Sequence, residues 1–177
     1  YDKGHILHEP DSLATIQFAD LYTGKTGGKA YKTAGCVINS DTYQGDGKHW
    51  MGLFVDARGQ TEWTVEYFNS SGNNPAPEWV SWLEKTRAGL ERVASGLSST
   101  PVVKIINVSD IRHQHSKSEC GTYVLFYIWA RLNDTPYEYF RTTPIPDQLM
   151  FEFRQHLFAD TEYEGMKELD WGEYSAK

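Results

Sequence analysis

Hydrophobic and polar positions follow one another along the chain in a pattern that predicts four strands and three helices. Apolar runs of strand length lie at residues 34–40, 49–56, 62–68 and 102–108. The stretch 119–132 is apolar nearly all round and long enough for a central helix, and 143–158 predicts a final helix with Pro146 near its first turn. An amphipathic helix between the third and fourth strands is predicted from residues at helical spacing: Trp79, Val80, Leu83, Leu90, Val93 and Leu97.

The second and third strands are predicted to pair as an antiparallel hairpin. Residues 57–61 between them have the length and glycine content of a hairpin loop. His49 starts the first of these strands, and Asn69 ends the second. Because strands advance about 3.3 Å per residue and the loop reverses the chain midway between the two positions, we expect both residues at the same edge of the sheet.

Cys120 opens the central helix, a position that favours a thiolate. Unpaired backbone N–H groups and the positive end of the helix dipole lower the pKa of a thiol in the first turn. Gln114 lies six residues upstream in a polar run, where its amide is a candidate oxyanion donor. We therefore predict an acyl-transfer site in which Cys120 is the nucleophile, His49 the base and Asn69 its orienting residue. Gln114 and the backbone N–H of Cys120 would bind the oxyanion.

Each of these residues taken alone also has an ordinary structural interpretation. Cys120 is a small hydrophobe suited to a core, Asn69 is a turn residue, and His49 is a polar residue at a strand end. The joint arrangement favours the catalytic interpretation, because four roles follow in order: a base at a strand start, an orienting residue at the end of the neighbouring strand, an oxyanion donor in a polar loop and a nucleophile at a helix start.

Several further cysteine, acidic, amide and basic residues are candidates for the site or for the core. Cys36, within an apolar run, is the competing nucleophile and is assigned to the core. Asp56 and Glu66 are predicted to be structural, with Glu66 as the alternative group for orienting His49. Asn39, at the end of the first strand, is either a further polar contact in the site or a strand-end turn residue. A basic set is a candidate contact for an acidic substrate segment: Lys48, Arg112, His113 and His115.

Composition and charge narrow the function classes. The chain has 177 residues, 40% of them hydrophobic, which is enough to bury a core. A net charge of −7 argues against a broad nucleic-acid surface. Two cysteines without framework spacing favour a reducing compartment such as the cytoplasm, and the scattered histidines give no metal cluster. No apolar run approaches the roughly 20 residues that cross a bilayer.

The chain is interpreted as a single domain over residues 1–160, of which 1–33 are poorly defined by the pattern, followed by an acidic tail over 161–177. Since it starts with Tyr1 and not with Met, we expect a processed or trimmed fragment.

The order of the four candidate residues resembles that of the adenain and SUMO-protease group of cysteine peptidases. The matching residues are His49, Asn69, Gln114 and Cys120, and the offset of six from Gln to Cys is that of the family. More narrowly, segments 47–56, 66–70 and 111–114 look like the polyprotein-processing proteases of African swine fever virus and its relatives. The resemblance spans residues 35–158. One departure is Asn69, where the SUMO-directed branch has Asp, so the imidazole is oriented without an added charge.

This resemblance implies an α+β fold, in which helices flank a central mixed sheet and the nucleophile stands at the N-terminus of a central helix. It also implies a cysteine endopeptidase that cleaves after Gly-Gly, with Trp50 walling a narrow slot that admits only glycines. The expected substrate is a viral polyprotein, in the host cell cytoplasm or the virion, and neither a cofactor nor a nucleic-acid or membrane partner is expected. The alternatives are a protease that removes SUMO, ubiquitin or a similar modifier, and a non-catalytic module that binds Gly-Gly tails.

Overall fold

A computed structural model of the chain describes residues 18–25, 28–41 and 45–158. The predicted acidic tail and most of residues 1–33 therefore lie outside the described residues. Helices and strands follow in the order α1 (Phe18–Thr23), β1 (Thr33–Asn39), β2 (Trp50–Asp56), β3 (Glu62–Phe68), α2 (Pro77–Ala94), β4 (Val102–Val108), α3 (Cys120–Leu132), α4 (Tyr137–Thr142) and α5 (Asp147–Phe158).

The four strands form one mixed sheet in the order β1-β2-β3-β4. β1 and β2 pair antiparallel, and β2 and β3 form the expected hairpin, with Gly52 opposite Phe68. β3 and β4 run parallel, because α2 carries the chain back between them. The predicted central mixed sheet is confirmed.

Alternate residues of the inner strands point to opposite sides of the sheet, and both sides are buried. On one side Leu53, Val65 and Val103 belong to a core shared with residues of α1 and α2. On the other side Phe54, Phe68 and Ile106 belong to a core shared with residues of α3, α4 and α5. Burial on both faces explains why these strands read as nearly continuous apolar runs.

Two glycines let the helix that begins at Cys120 lie close to the sheet. A Cβ atom on Gly35 of β1 would lie 2.7 Å from Ile128 Cγ2, and one on Gly52 of β2 would lie 3.2 Å from Val124 Cγ1. Val124 and Ile128 are four residues apart on α3, so both face the sheet. The absence of side chains at the two glycines therefore sets the depth at which α3, and with it Cys120, is held.

Three features of the pattern are corrected by the structure. The buried side of α2 includes Trp82 and not Val80, which is 43% exposed. Leu97 lies beyond the end of this helix. β1 is an edge strand in which only Ile38 and Asn39 are buried. The segment predicted as one helix from 143 begins at Asp147, and a short helix, α4, precedes it. Six residues are too few for a helical period to show in the sequence.

Among the residues that the structure describes, no helix is both long and apolar enough to cross a membrane.

Candidate active site

His49 and Asn69 meet at the edge of the sheet where β2 begins and β3 ends. The His49 Nε2 and Asn69 Oδ1 atoms are 2.7 Å apart. Continued past its last pair, the β2–β3 register sets Asn69 opposite Met51, two residues after His49. Side chains two apart on a strand share a side of the sheet, so the two groups can meet. Since an amide oxygen accepts hydrogen bonds only, Nε2 carries the proton and Nδ1 is left for the thiol.

The side-chain amide of Asn69 is held in one orientation by its neighbours. Its Oδ1 also accepts hydrogen bonds from the backbone N–H and hydroxyl of Ser71, at 3.0 and 2.8 Å. Its Nδ2 donates to the Tyr67 hydroxyl and to the Asn73 carbonyl, both at 3.0 Å. Asn69 is only 2% exposed. This network keeps the amide oxygen, and not the nitrogen, turned toward His49.

Cys120 is the first residue of α3, and its environment favours the thiolate. Burial opposes the charge, but hydrogen bonds from His49 and from the backbone of Trp50 and Gly121, with the attraction of the imidazolium, lower the pKa of the thiol below its ordinary value. The hydrogen bond with Cys120 in turn raises the pKa of His49 above its ordinary value, against the effect of burial and with help from Asn69. The two shifts have the signs that a thiolate–imidazolium pair requires.

Gln114 is buried in the loop that leads from β4 to α3. Its Oε1 accepts a hydrogen bond from the Ser70 hydroxyl at 2.9 Å, and its Nε2 donates to the Ser116 carbonyl at 3.0 Å. The amide nitrogen of a glutamine carries two hydrogens, so one N–H of Gln114 remains for a ligand. The backbone N–H of Gln114 donates to the Ser70 carbonyl, which fixes this loop against the end of β3.

Trp50 and Asn39 lie opposite each other where β1 and β2 pair. A Cβ atom on Gly121 would lie 3.6 Å from the Trp50 ring, and Trp50 is 41% exposed, so its indole stands beside the start of α3 and faces solvent. Asn39 is buried, and its Oδ1 accepts a hydrogen bond from the backbone N–H of Asp41. This bond forms the predicted turn at the end of β1. That bond leaves the Asn39 amide nitrogen for a contact in the site, which stays a prediction.

Glu66 and His113 are both buried, away from the roles of orienting group and substrate contact that were considered for them. Glu66 is fully buried and accepts hydrogen bonds from Thr64, Tyr127 and Arg131, which is the structural role predicted. Asn69 faces His49, so no substitute orienting group is needed. The predicted contact of His113 with an acidic substrate is wrong. His113 is 2% exposed, and aromatic side chains pack against its ring. Lys48, Arg112 and His115 are exposed.

Both cysteines are free, and their environments differ. Cys36 is partly buried against the core beside α1 and α2. Burial raises the pKa of its thiol to about 11, which leaves it protonated at neutral pH. In the described parts of the chain, no group of three or more His, Cys, Asp or Glu side chains is placed to hold a metal ion.

Sequence reasoning missed the residues that support the site. Ser70 and Ser71 follow Asn69 directly, and their hydroxyl groups bind Gln114 and Asn69. Asp147, at the start of α5, accepts the backbone N–H groups of His115 and Ser116. The pair of serines reads in sequence as part of a turn, and nothing in the sequence links Asp147 to a loop about 30 residues earlier.

A thiol at a helix N-terminus, an imidazole and an orienting amide in this arrangement are the catalytic groups of cysteine peptidases. Comparison with known proteins gives the family. Residues 38–169 match the Ulp1 protease family, C-terminal catalytic domain, and the chain belongs to this family.

The chain is similar to proteases of African swine fever virus. It is 43% identical over 151 residues to a cysteine protease of the Tick/Malawi isolate, covering 81% of this chain and 53% of that protein. It is 46% identical over 135 residues to a protein of the Pig/Kenya isolate named SUMO-1 cysteine protease, covering 74% of this chain and 47% of that protein. The chain thus spans about half the length of these relatives.

Solved structures agree with the family. A crystal structure of the ASFV pS273R protease matches with a TM-score of 0.77 at 38% identity, covering 90% of this chain and 58% of the matched chain. The α+β fold predicted from the sequence is therefore confirmed.

Proposed function

We propose that this protein is a cysteine endopeptidase that cleaves the peptide bond after Gly-Gly in a polyprotein substrate. The observation that carries the proposal is the position of His49 between two partners, with one ring nitrogen on Asn69 and a hydrogen bond to Cys120. Family membership adds support, because the matched region is a protease catalytic domain.

In the proposed reaction the Cys120 thiolate attacks the carbonyl carbon of the scissile bond. The developing oxyanion accepts hydrogen bonds from the free N–H of Gln114 and the backbone N–H of Cys120, a type of contact whose loss costs about 2.7–4 kcal/mol. His49 donates its proton to the leaving amine, and a thioester remains on Cys120. His49 then takes a proton from water, the hydroxide attacks the thioester, and the acid product leaves as the thiolate is restored.

Trp50 supports the preference for glycine. Its indole stands beside Gly121, next to the nucleophile, and is exposed enough to wall a groove. A substrate chain that passes alongside this ring to reach Cys120 is best accommodated when its residues lack side chains. Glycine is the one residue that meets that condition.

The alternative is a protease that releases SUMO, ubiquitin or a related modifier ending in Gly-Gly. The observation that favours it is the name of a relative, SUMO-1 cysteine protease, 46% identical to this chain. A module that binds Gly-Gly tails without cleavage is a third candidate, and the lowered pKa of the Cys120 thiol argues against it. The two free cysteines suit a reducing location such as the host cell cytoplasm.

A substrate panel tests the proposal. The wild-type protein is assayed on a Gly-Gly-Xaa peptide and on SUMO and ubiquitin fluorogenic substrates, beside Cys120→Ala and the control Cys36→Ala. We expect the wild type and Cys36→Ala to cleave the peptide and Cys120→Ala to be inactive. Cleavage of the modifier substrates with the peptide left intact supports the alternative, and binding of the peptide without turnover supports the third candidate.

A further inference from the structure

The side-chain amide of Gln114 is held from both ends. The Ser70 hydroxyl donates to Oε1 at 2.9 Å, and Nε2 donates to the Ser116 carbonyl at 3.0 Å. If the amide were turned over, Oε1 would face the Ser116 carbonyl, and two acceptors would oppose each other. The contacts therefore select the orientation in which a second Nε2 hydrogen is free.

Ser70 is itself fixed in place. It is 0% exposed, and its carbonyl accepts the backbone N–H groups of His113 and Gln114, both at 2.9 Å. The preceding residue, Asn69, donates its backbone N–H to the Val108 carbonyl at 3.1 Å. These bonds tie the segment after β3 to the segment after β4, so the Ser70 hydroxyl meets Gln114 from a rigid base.

Two adjacent residues thus serve the two halves of the site. Asn69 orients the base through its side chain, and Ser70 holds the amide of the candidate oxyanion donor. We propose that Ser70 is a positioning residue that keeps the free N–H of Gln114 directed at the oxyanion formed on attack by Cys120. This inference rests on the proposed function, since it names what makes the oxyanion contact ready before substrate arrives.

The Ser116 carbonyl, the second support of Gln114, is fixed from α5. The Asp147 carboxylate accepts the backbone N–H of Ser116 at 2.8 Å and that of His115 at 3.1 Å, and it is also bound by the Tyr123 hydroxyl at 3.0 Å. Both ends of the Gln114 amide therefore contact groups whose own positions are determined by the fold.

A double-mutant cycle tests the role of Ser70. Gln114→Ala should lower kcat by about 10²–10³ with little change in KM. Ser70→Ala should lower kcat about two- to tenfold, the range of one neutral hydrogen bond. In the double variant, loss of the Ser70 hydroxyl should add nothing to the effect of Gln114→Ala, because Ser70 acts only through that amide. Ser109→Ala, which removes a hydroxyl bound to Asn74 elsewhere, is the matched control.

Two readouts separate positioning from general damage. Alkylation of Cys120 by iodoacetamide forms no oxyanion, so its rate should be the same in Ser70→Ala as in the wild type. The ¹⁵N side-chain amide signal of Gln114, assigned by its loss in Gln114→Ala, should show restricted motion in the wild type and greater motion in Ser70→Ala. Ser70→Cys, of similar size with a weak donor, replaces Ser70→Ala if that variant does not fold.

Multiplicative losses in the double variant would overturn the proposal, and so would a Gln114 amide that stays equally rigid without the Ser70 hydroxyl. Absence of cleavage by the wild type would refute the proposed function instead, while the amide measurement would still decide whether Ser70 holds Gln114.

Discussion

The two ring nitrogens of His49 have separate tasks, and this separation sets the charge state of the site. Asn69 takes Nε2, so the remaining nitrogen accepts the proton of Cys120. The pKa of Cys120 is lowered and that of His49 is raised, and both shifts favour the state in which thiolate and imidazolium coexist. Activity should rise as the thiolate forms and fall at higher pH as His49 loses its proton.

Selective alkylation measures this pairing directly. At neutral pH iodoacetamide should modify Cys120 well before Cys36, because burial raises the pKa of Cys36 to about 11. His49→Ala should shift the midpoint of Cys120 labelling to higher pH, since the hydrogen bond and charge that stabilise the thiolate are lost. Peptide mapping by mass spectrometry reads both sites, and Cys36→Ala is the control. Faster modification of Cys36 would reverse the assignment of the nucleophile.

Substitutions at Asn69 test whether its role is orientation. Asn69→Asp should retain substantial activity, because an oxygen still accepts the hydrogen bond from His49 and the added charge stabilises imidazolium. Asn69→Ala should be much weaker, with the loss mainly in kcat. Steady-state kinetics on both variants decide the matter, and wild-type rates in Asn69→Ala would rule out the orienting role.

At the scale of elements, α3 is anchored to the sheet near its C-terminal end by a buried ion pair. Arg131 donates to both oxygens of Glu66, at 2.9 and 2.6 Å, and their side chains are 7% and 0% exposed. Asp56 is a second partner of Arg131 at 3.3 Å. Cys120 begins the same helix, so this anchor and the two glycines under α3 together set the direction of the helix that carries the proposed nucleophile.

Glu66→Gln should therefore destabilise the protein and spare the chemistry. Removal of one partner from a buried pair costs about 3–5 kcal/mol, and the remaining Asp56 favours the lower value. Denaturant unfolding gives the loss, and Glu62→Gln, which breaks an exposed pair with Lys104, is the control expected to change stability by about 0–1 kcal/mol. A collapse of kcat with unchanged stability would instead make Glu66 the group that orients His49.

At the scale of the whole molecule, His113 joins the loop before α3 to the segment between α4 and α5. Its Nδ1 accepts the backbone N–H of Ile145 at 3.1 Å, and its ring packs beside Phe68 and Phe140. Burial lowers its pKa from 6.5 to about 4. The neutral form is the one that fits, because a protonated Nδ1 could not accept the Ile145 hydrogen bond.

Acid should consequently weaken the fold through His113. The folded-state pKa lies below the unfolded one, so this stabilisation is complete above pH 6.5 and is lost as the pH falls from there toward about 4. The loss amounts to about 3 kcal/mol. His113→Gln should reduce this slope, measured as the free energy of unfolding against pH, while the exposed neighbour variant His115→Gln should not. Equal slopes in all three proteins would contradict the assignment.

The sequence by itself determined the strands, the central helix and the order of the proposed catalytic groups. Strand β4 was predictable because its β-branched residues form a run of strand length, and helix α3 because its apolar run is too long for a typical strand. The proximity of His49 and Asn69 was predictable because a short hairpin leaves little freedom in register. The edge position of β1 and the short α4 were not, since neighbours distant in sequence decide edge burial and six residues carry no period.

Only the tertiary structure decided which polar residues face the site. Glu66 lies in the run of a strand and His113 and Gln114 in a polar loop, and each of the three is buried with a different partner: Arg131, Ile145 and Ser70. Hydrogen-bond partners about 30 to 65 positions apart along the chain leave no local pattern, because residue spacing reports only on the neighbours within one helix or strand. The hydrogen bond between Ser70 and Gln114, the proposed oxyanion donor, belongs to this class: it exists only once the ends of β3 and β4 lie side by side.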